Sequence, residues 1–297
     1  GCTFQNVLSG VGNHRSKVGG NISKIGAADI KIANNKFQNV ANTCMNLYDF
    51  EAVDISGNTA ESVRSFARVY KGKDCVISNN AVTTLMSGNQ YDVFRVSNGA
   101  KLSITGNTIN GAGNTAIKVA SKSTADITAN IFKGEISYNA IGVEDSTANV
   151  CRNTFTEGSI GNIAIYFIGS KGTINTNTIS TAKVRPIGVW NNSSVTQIVG
   201  NNVTGGRSQG IYVLNSSVGE INGNTVTASG AEGIGISGGS ASVGNIVLNN
   251  VNKAGTEGIR VGEGAVVTNI GGNSSAGNIV TASVGSGIFV GASQVTN

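Results

Sequence analysis

Three basic residues, Arg68, Arg95 and Lys118, each stand in the middle of an apolar-x-apolar triplet. In a strand with one buried face, that middle residue points to solvent. Guanidinium and ammonium groups filed along one surface pair with carboxylates or sulfates, the guanidinium through two parallel hydrogen bonds. Tyr70, Lys71 and Tyr91 lie close by in sequence, with Tyr48 and Asp49 one repeat earlier. Cations bordered by aromatic rings suit an extended, negatively charged polymer such as a uronic-acid glycan. Were such a polymer cleaved there, Arg95 would neutralise the uronate and acidify its C5 proton, with Lys71 or Tyr70 as base. The same residues also serve, without any ligand, to keep an exposed sheet from aggregating.

The middle position reads, triplet by triplet, Asn46, Arg68, Arg95, Lys118, Gly142, Tyr166, Gly188, Tyr212, Gly235, Arg260 and Phe289. Tyr91, Tyr166 and Tyr212 therefore join the three cations as candidate ligand-binding residues. Glycines alternating with tyrosines suggest a flat surface open to a sugar. Trp190, the single tryptophan, ends one triplet strand and is expected to leave the body of the fold for a turn.

These positions form one file only if their strands stack in register, and a second pattern supplies that condition. The motif Ile/Val-x-x-Asn-x-apolar recurs at Asn35, Asn58, Asn80, Asn107, Asn130, Asn153, Asn177, Asn201, Asn224, Asn249 and Asn273, at intervals of 22 to 27 residues. Near-equal spacing of this length marks a repeat architecture. Period-two alternation of Ile and Val marks each segment as a strand. The chain is expected to be all-β: a single-stranded right-handed parallel β-helix of about 11–12 coils of about 24 residues, one domain over 1–297. The leucine-rich alternative fails because leucines are too few. Each coil must bend sharply, often with one residue at positive φ, which Asn tolerates. Stacked at one bend, the Asn amides can form a ladder. The open ends call for covering by flanking domains or an oligomer, and the chain reads as a segment of something larger.

Composition fits this reading. Of 297 residues, 42 are Gly, one is Pro and only 12% are charged, while 39% are apolar, which excludes a disordered chain. Residues 1–152 hold 15 Lys/Arg and 11 Asp/Glu, against 6 and 5 in the remainder. The net charge of +5 is too small and scattered for nucleic-acid binding. No apolar run is long enough for a membrane span. Cys2, Cys44, Cys75 and Cys151 lack metal-ligand spacing and are expected to be free and mostly buried. His14 is the only histidine, and acidic residues are not clustered, so no metal site and no cofactor is expected. Glu144-Asp145 reads as a solvated acidic turn.

The Ile-x-Gly-Asn-Thr segments at Ile55–Thr59, Ile104–Thr108 and Ile221–Thr225, with the Gly-Ile-x-Val strands, resemble the pectate-lyase-like superfamily over the whole chain. That resemblance implies a right-handed β-helix and, in many members, action on polysaccharides; others are adhesins or tail proteins. The hydrolase and epimerase signatures of the superfamily are missing, and Arg185-Pro186 only grazes the pectate lyase pattern. A Lys/Arg pair on neighbouring coils, as in the chondroitin and alginate lyases, is imitated by Lys71 and Arg95 but without calcium-binding carboxylates. Two functions remain open. One is an extracellular or cell-surface β-helix that binds glycans or serves as an adhesin or rod. The other is a lyase, or related carbohydrate-active enzyme, acting on an acidic polysaccharide, the only case in which calcium would enter.

Overall fold

The computed structural model of the protein describes residues 2–5, 11–12, 30–84, 90–180, 182–272, 275–291 and 293–296. His14 and Asn273 lie outside the described residues. Each repeat contributes three short strands, save one in which the first is split into Thr154–Phe155 and Ser159–Ile160, and equivalent strands of successive repeats pair in parallel. They build one sheet of 13 strands and two of 12. The outcome is an all-β parallel solenoid of about 11 turns, about 24 residues each, with no helix among the described residues.

The triplet strands make up the second sheet. Their inward residues stack in strict register, Phe94 on Ile117, then Ile141, Ile165, Ile187, Ile211, Ile234 and Ile259. All are fully buried. Branched side chains with one preferred rotamer suit such a file, and burying each contributes about 1.5–3 kcal/mol. Phenylalanines pack inside the early coils: Phe66 meets Phe37 and Phe94 edge-on at 6.1 and 5.5 Å. Phe132 and Phe155 stack face to face at 4.4 Å.

The asparagine ladder runs through the corner before the first sheet. Asn130 donates both its backbone N–H and its Nδ2 to Asn153 Oδ1 at 3.0 Å, and Asn153 does the same to Asn177. The second Nδ2 proton goes back to the preceding coil, as from Asn153 to Ile127 O at 2.9 Å. The pattern connects Asn35 to Asn249 without a gap, and then passes to Asn278, at 2.9 Å from Asn249 Nδ2. Asn278 therefore takes the rung that spacing assigns to Asn273. The intervening coil is longer, and Asn278 directly precedes the strand Ile279–Thr281, as each ladder Asn precedes its own.

The left-handed backbone at this corner belongs to the residue before the ladder Asn, not to the Asn itself. It falls on Asn34, Gly57, Asn79, Gly106, Ala129, Arg152, Thr176, Gly200, Gly223 and Leu248, with φ between 53 and 64°. The ladder Asn is selected for its amide. A second ladder, of buried serines, lies at the corner before the third sheet. Backbone N–H groups of Ser123, Ser146, Ser170 and Ser193 each donate to the next serine's Oγ at 3.1–3.2 Å, ending at Ser216. The four cysteines are free; Cys44 and Cys75 are buried, Cys151 is half-buried and Cys2 is exposed. At the far end, Ile288 and Val290 keep 48% and 45% exposure because no described coil covers them.

Asn153→Ala is expected to cost about 3 kcal/mol, since it orphans two donors of Asn130 and a buried amide's worth of acceptors. Asn35→Ala, at a half-buried rung that water reaches, should cost about 1 kcal/mol. Equal midpoints of urea unfolding for the two variants would contradict this account of the ladder. Leu248→Gly should raise stability by about 0.5–1 kcal/mol. Leu248 is half-exposed at φ 57°, and glycine adopts the left-handed conformation without the Cβ clash. A lowered thermal midpoint would show that the leucine side chain matters more than its backbone strain.

Candidate functional site

The outer face of the second sheet carries the proposed file. Asn46, Arg68, Arg95, Lys118, Gly142, Tyr166, Gly188, Tyr212, Gly235, Arg260 and Phe289 are direct Cα partners in sequence. At about 4.8 Å per coil, Arg68 and Lys118 stand about 10 Å apart.

Two of the three cations are already paired. Arg95 Nη1 meets Asp92 Oδ2 at 2.9 Å, and Asn114 donates to the other oxygen of Asp92 at 3.1 Å. Lys118 Nζ meets Glu144 Oε1 at 3.0 Å, and the Tyr166 hydroxyl donates to the same oxygen at 2.6 Å. Arg68 makes no ion pair among the described residues; its guanidinium lies 4.8 Å from the ring centre of Tyr91. Asp92 and Glu144 were not legible as site residues. Asp92 comes from the turn ahead of the strand Phe94–Ser97. Glu144 is not in a solvated turn: it closes the strand Ile141–Glu144, two residues after Gly142 and so on the same face. That parity was the available signal.

The candidate bases are less well placed. Tyr70 stacks on Tyr48 with ring centres 4.5 Å apart and planes within 5°. Burial pushes the Tyr70 hydroxyl up despite the nearby Arg68 and Arg95, so it yields its proton less readily. Lys71 is exposed in the following turn, at φ 58°.

Further along the face, the glycines are not open. The Tyr166 ring lies across Gly142, where an added Cβ would come within 2.5 Å of it, and the Trp190 indole covers Gly188 in the same way. Trp190 thus folds back on the sheet instead of leaving it. Tyr166 is on the outer face but only 4% exposed, while Tyr212 is half-buried. Tyr166 and Trp190 are 6.3 Å apart at a tilt of 39°. Arg185 lies 5.3 Å from the Trp190 ring centre and 4.6 Å from that of Tyr212.

Between these rings and the paired charges is a trough of about 250 Å³, bordered by Asn114, Lys118, Tyr138, Glu144, Tyr166 and Trp190. Tyr138, 52% exposed, stands on one bank; Trp190 is on the other. Both donors to Glu144 converge on Oε1, and Oε2 takes no hydrogen bond from the described residues. Burial pushes the Glu144 carboxyl up, but hydrogen bonds from Tyr166 and Lys118 outweigh it and the group lies below its ordinary range. Burial dominates at Asp92, which is raised although Arg95 pulls it down. The Tyr166 hydroxyl is pushed up by burial and by its bond to Glu144, so it acts as a donor. Among the described residues, no group of three or more His, Cys, Asp or Glu is placed to hold a metal ion. Among the described residues, no helix is long and apolar enough to cross a membrane.

Because the folded Glu144 carboxyl lies below its unfolded value, its contribution is present above the unfolded value and lost as pH falls through the folded one. With Glu144 about a third exposed, solvent screening limits that contribution to about 1 kcal/mol. Glu144→Gln should therefore lower the thermal midpoint at about pH 7 and converge with the parent at about pH 2. A constant offset between the two proteins across this range would contradict the network.

Searches of curated proteins and of solved structures return no match. A family model described as "Right handed beta helix region" matches residues 92–251. That span is more than half of the chain. It runs from the Asp92–Arg95 pair through the trough to the Arg185 cluster and beyond. By this match and by its parallel coils, the chain belongs to the right-handed β-helix family.

Proposed function

We propose that the protein is an extracellular or cell-surface β-helix that binds an extended glycan along the outer face of its second sheet. The observation that carries this reading is the trough, with Tyr138 exposed on one bank, Trp190 on the other and Glu144 Oε2 unengaged between them. Aromatic surfaces pack on the apolar faces of sugar rings, and a fixed carboxylate oxygen accepts from sugar hydroxyls. Asn114 and Lys118 add donors along the same floor. The charges are neutralised in the middle of the face, so a sugar seated there has no need of its own charge. A regular rod with small turns also suits an adhesin or spacer, since each coil adds the same length of surface. The binding reading calls for no cofactor.

Cleavage of an acidic polysaccharide by elimination is the second reading. It is favoured by Glu144 itself, a carboxylate with one free oxygen beside Lys118 and close enough to Arg95 to be influenced by it. In that scheme the cations offset the uronate charge, the carboxylate takes the C5 proton, the electron pair forms the C4–C5 double bond as the C4–O bond breaks, and the leaving oxygen takes a proton from water.

Titration with dextran, alginate, polygalacturonate and chondroitin sulfate, followed by Trp190 emission, tests both. The binding reading expects saturable change with at least one polymer, weakened about tenfold in Tyr138→Ala, and no unsaturated product in the ultraviolet. Product release that is lost in Glu144→Gln would establish the enzyme instead. Neither binding nor product with any polymer would overturn both.

A further inference from the structure

Five basic side chains belong to this face: Arg68, Arg95, Lys118, Arg185 and Arg260. Three carry a carboxylate: Asp92 on Arg95, Glu144 on Lys118, and Glu232 on Arg260 at 3.4 Å. Arg185 differs. Among the described residues, it has no carboxylate within ion-pair distance. It is nevertheless the most thoroughly held cation on the face. Its Nε donates to Gln209 Oε1 at 3.1 Å and its Nη2 to Ser208 Oγ at 2.9 Å, both neutral acceptors. Two aromatic rings, Trp190 and Tyr212, lie within cation–π distance. Its Nη1 makes no hydrogen bond with the described residues.

A guanidinium half-withdrawn from water, which the Glu232 carboxylate reaches only from beyond ion-pair distance while pairing with Arg260, is costly unless something anionic completes it. Here the neutral acceptors and the rings fix its plane in advance, which lowers the entropy lost when a partner arrives. Arg68, the other cation without a carboxylate, is not fixed in this way: it has one ring beside it and a buried Nε with no partner.

The position of Arg185 gives its preorganisation a purpose. Ile163, which lines the trough, is its direct Cα neighbour in the preceding coil, and Trp190 borders the trough while contacting Arg185. A glycan seated in the trough and running along the coil stack would bring the next sugar unit to Arg185. We propose that Arg185 is the specificity-determining anchor for an anionic substituent, a carboxylate or a sulfate ester, on the glycan bound in the trough. This rests on the glycan-binding reading and narrows it. Sugar recognition in the trough is by rings and hydrogen bonds, and charge is read once, one coil further on, by the open edge of a guanidinium.

The test compares dextran, polygalacturonate and dextran sulfate by Trp190 emission and calorimetry, at low and high salt. The wild type is expected to bind one or both acidic polymers more tightly than dextran; which of them binds tells carboxylate from sulfate. Arg185→Gln should weaken acidic binding at least tenfold and leave dextran binding unchanged. Arg185→Lys should recover only part, because an ammonium keeps the charge but not the two-pronged geometry. Lys171→Gln, which removes an exposed cation on the third sheet, should change neither. If Arg185→Gln and Arg185→Lys bind the acidic polymers as tightly as wild type, the inference is overturned and glycan binding stands. It is equally overturned if dextran and the acidic polymers bind alike. If the wild type binds none of the three, the trough reading falls and takes the inference with it.

Discussion

Parallel coils repeat at a fixed pitch of about 4.8 Å, and every polar group at a buried corner must find its partner in the next coil. This constraint governs the interior. At the corner before the first sheet, one amide satisfies it three ways. Its oxygen takes two donors from the preceding coil, and its Nδ2 donates back to a carbonyl of that coil and on to the amide oxygen of the next. No other side chain of that size both donates twice and accepts twice. At the corner before the third sheet the demand is smaller. A single backbone N–H needs an acceptor, and a serine hydroxyl suffices. The two ladders thus differ in residue type because the corners leave different numbers of groups unpaired.

The same pitch restricts what the outer face can display. Identical charges on consecutive coils would sit close enough to repel, and the structure interleaves them with carboxylates drawn from elsewhere in the coil, Asp92 from a preceding turn and Glu144 from a strand end. Large rings cannot stand upright on every coil either. Tyr48 and Tyr70 solve this by stacking in parallel. Tyr166 and Trp190 solve it by lying flat, each over a neighbouring glycine whose missing Cβ makes the space. Gly142 and Gly188 are therefore half of an aromatic arrangement. An alanine at either would force its ring off the sheet.

This division explains what could be read from the sequence. The inward files and the ladder were legible from Asn35 to Asn249 because a buried position admits few residue types and recurs in every coil. Legibility ended at Asn273, where a longer coil breaks the interval and Asn278 supplies the rung. The left-handed corner residue was misassigned to the Asn because its own identity varies, from Gly57 to Arg152 to Leu248; backbone shape there is imposed by stacking and not by local preference. The outward file Arg68–Arg95–Lys118 was legible as a register, but its electrostatics were not. The partners of Arg95 and Lys118 occupy other columns, so reading a single column saw cations where the surface has ion pairs. Trp190 was misplaced for a related reason: its resting place is a glycine in its own strand.

The charge pattern that results is uneven along the rod. Ion pairs occupy the early centre and Glu232–Arg260 the later coils, with the trough and Arg185 between them. Ion pairs with half-exposed partners add little to stability, about 0–1 kcal/mol each, so stability gives little reason to leave one cation out of the scheme. Holding Arg185 with Gln209 and Ser208 costs side-chain freedom, and the Glu232 carboxylate that acts on it from a distance is already paired with Arg260. The rings around it favour the cation but cannot neutralise it. On a face where the other well-ordered cations have counter-charges, a rigid and incomplete one is where a ligand's charge can be recognised with least rearrangement.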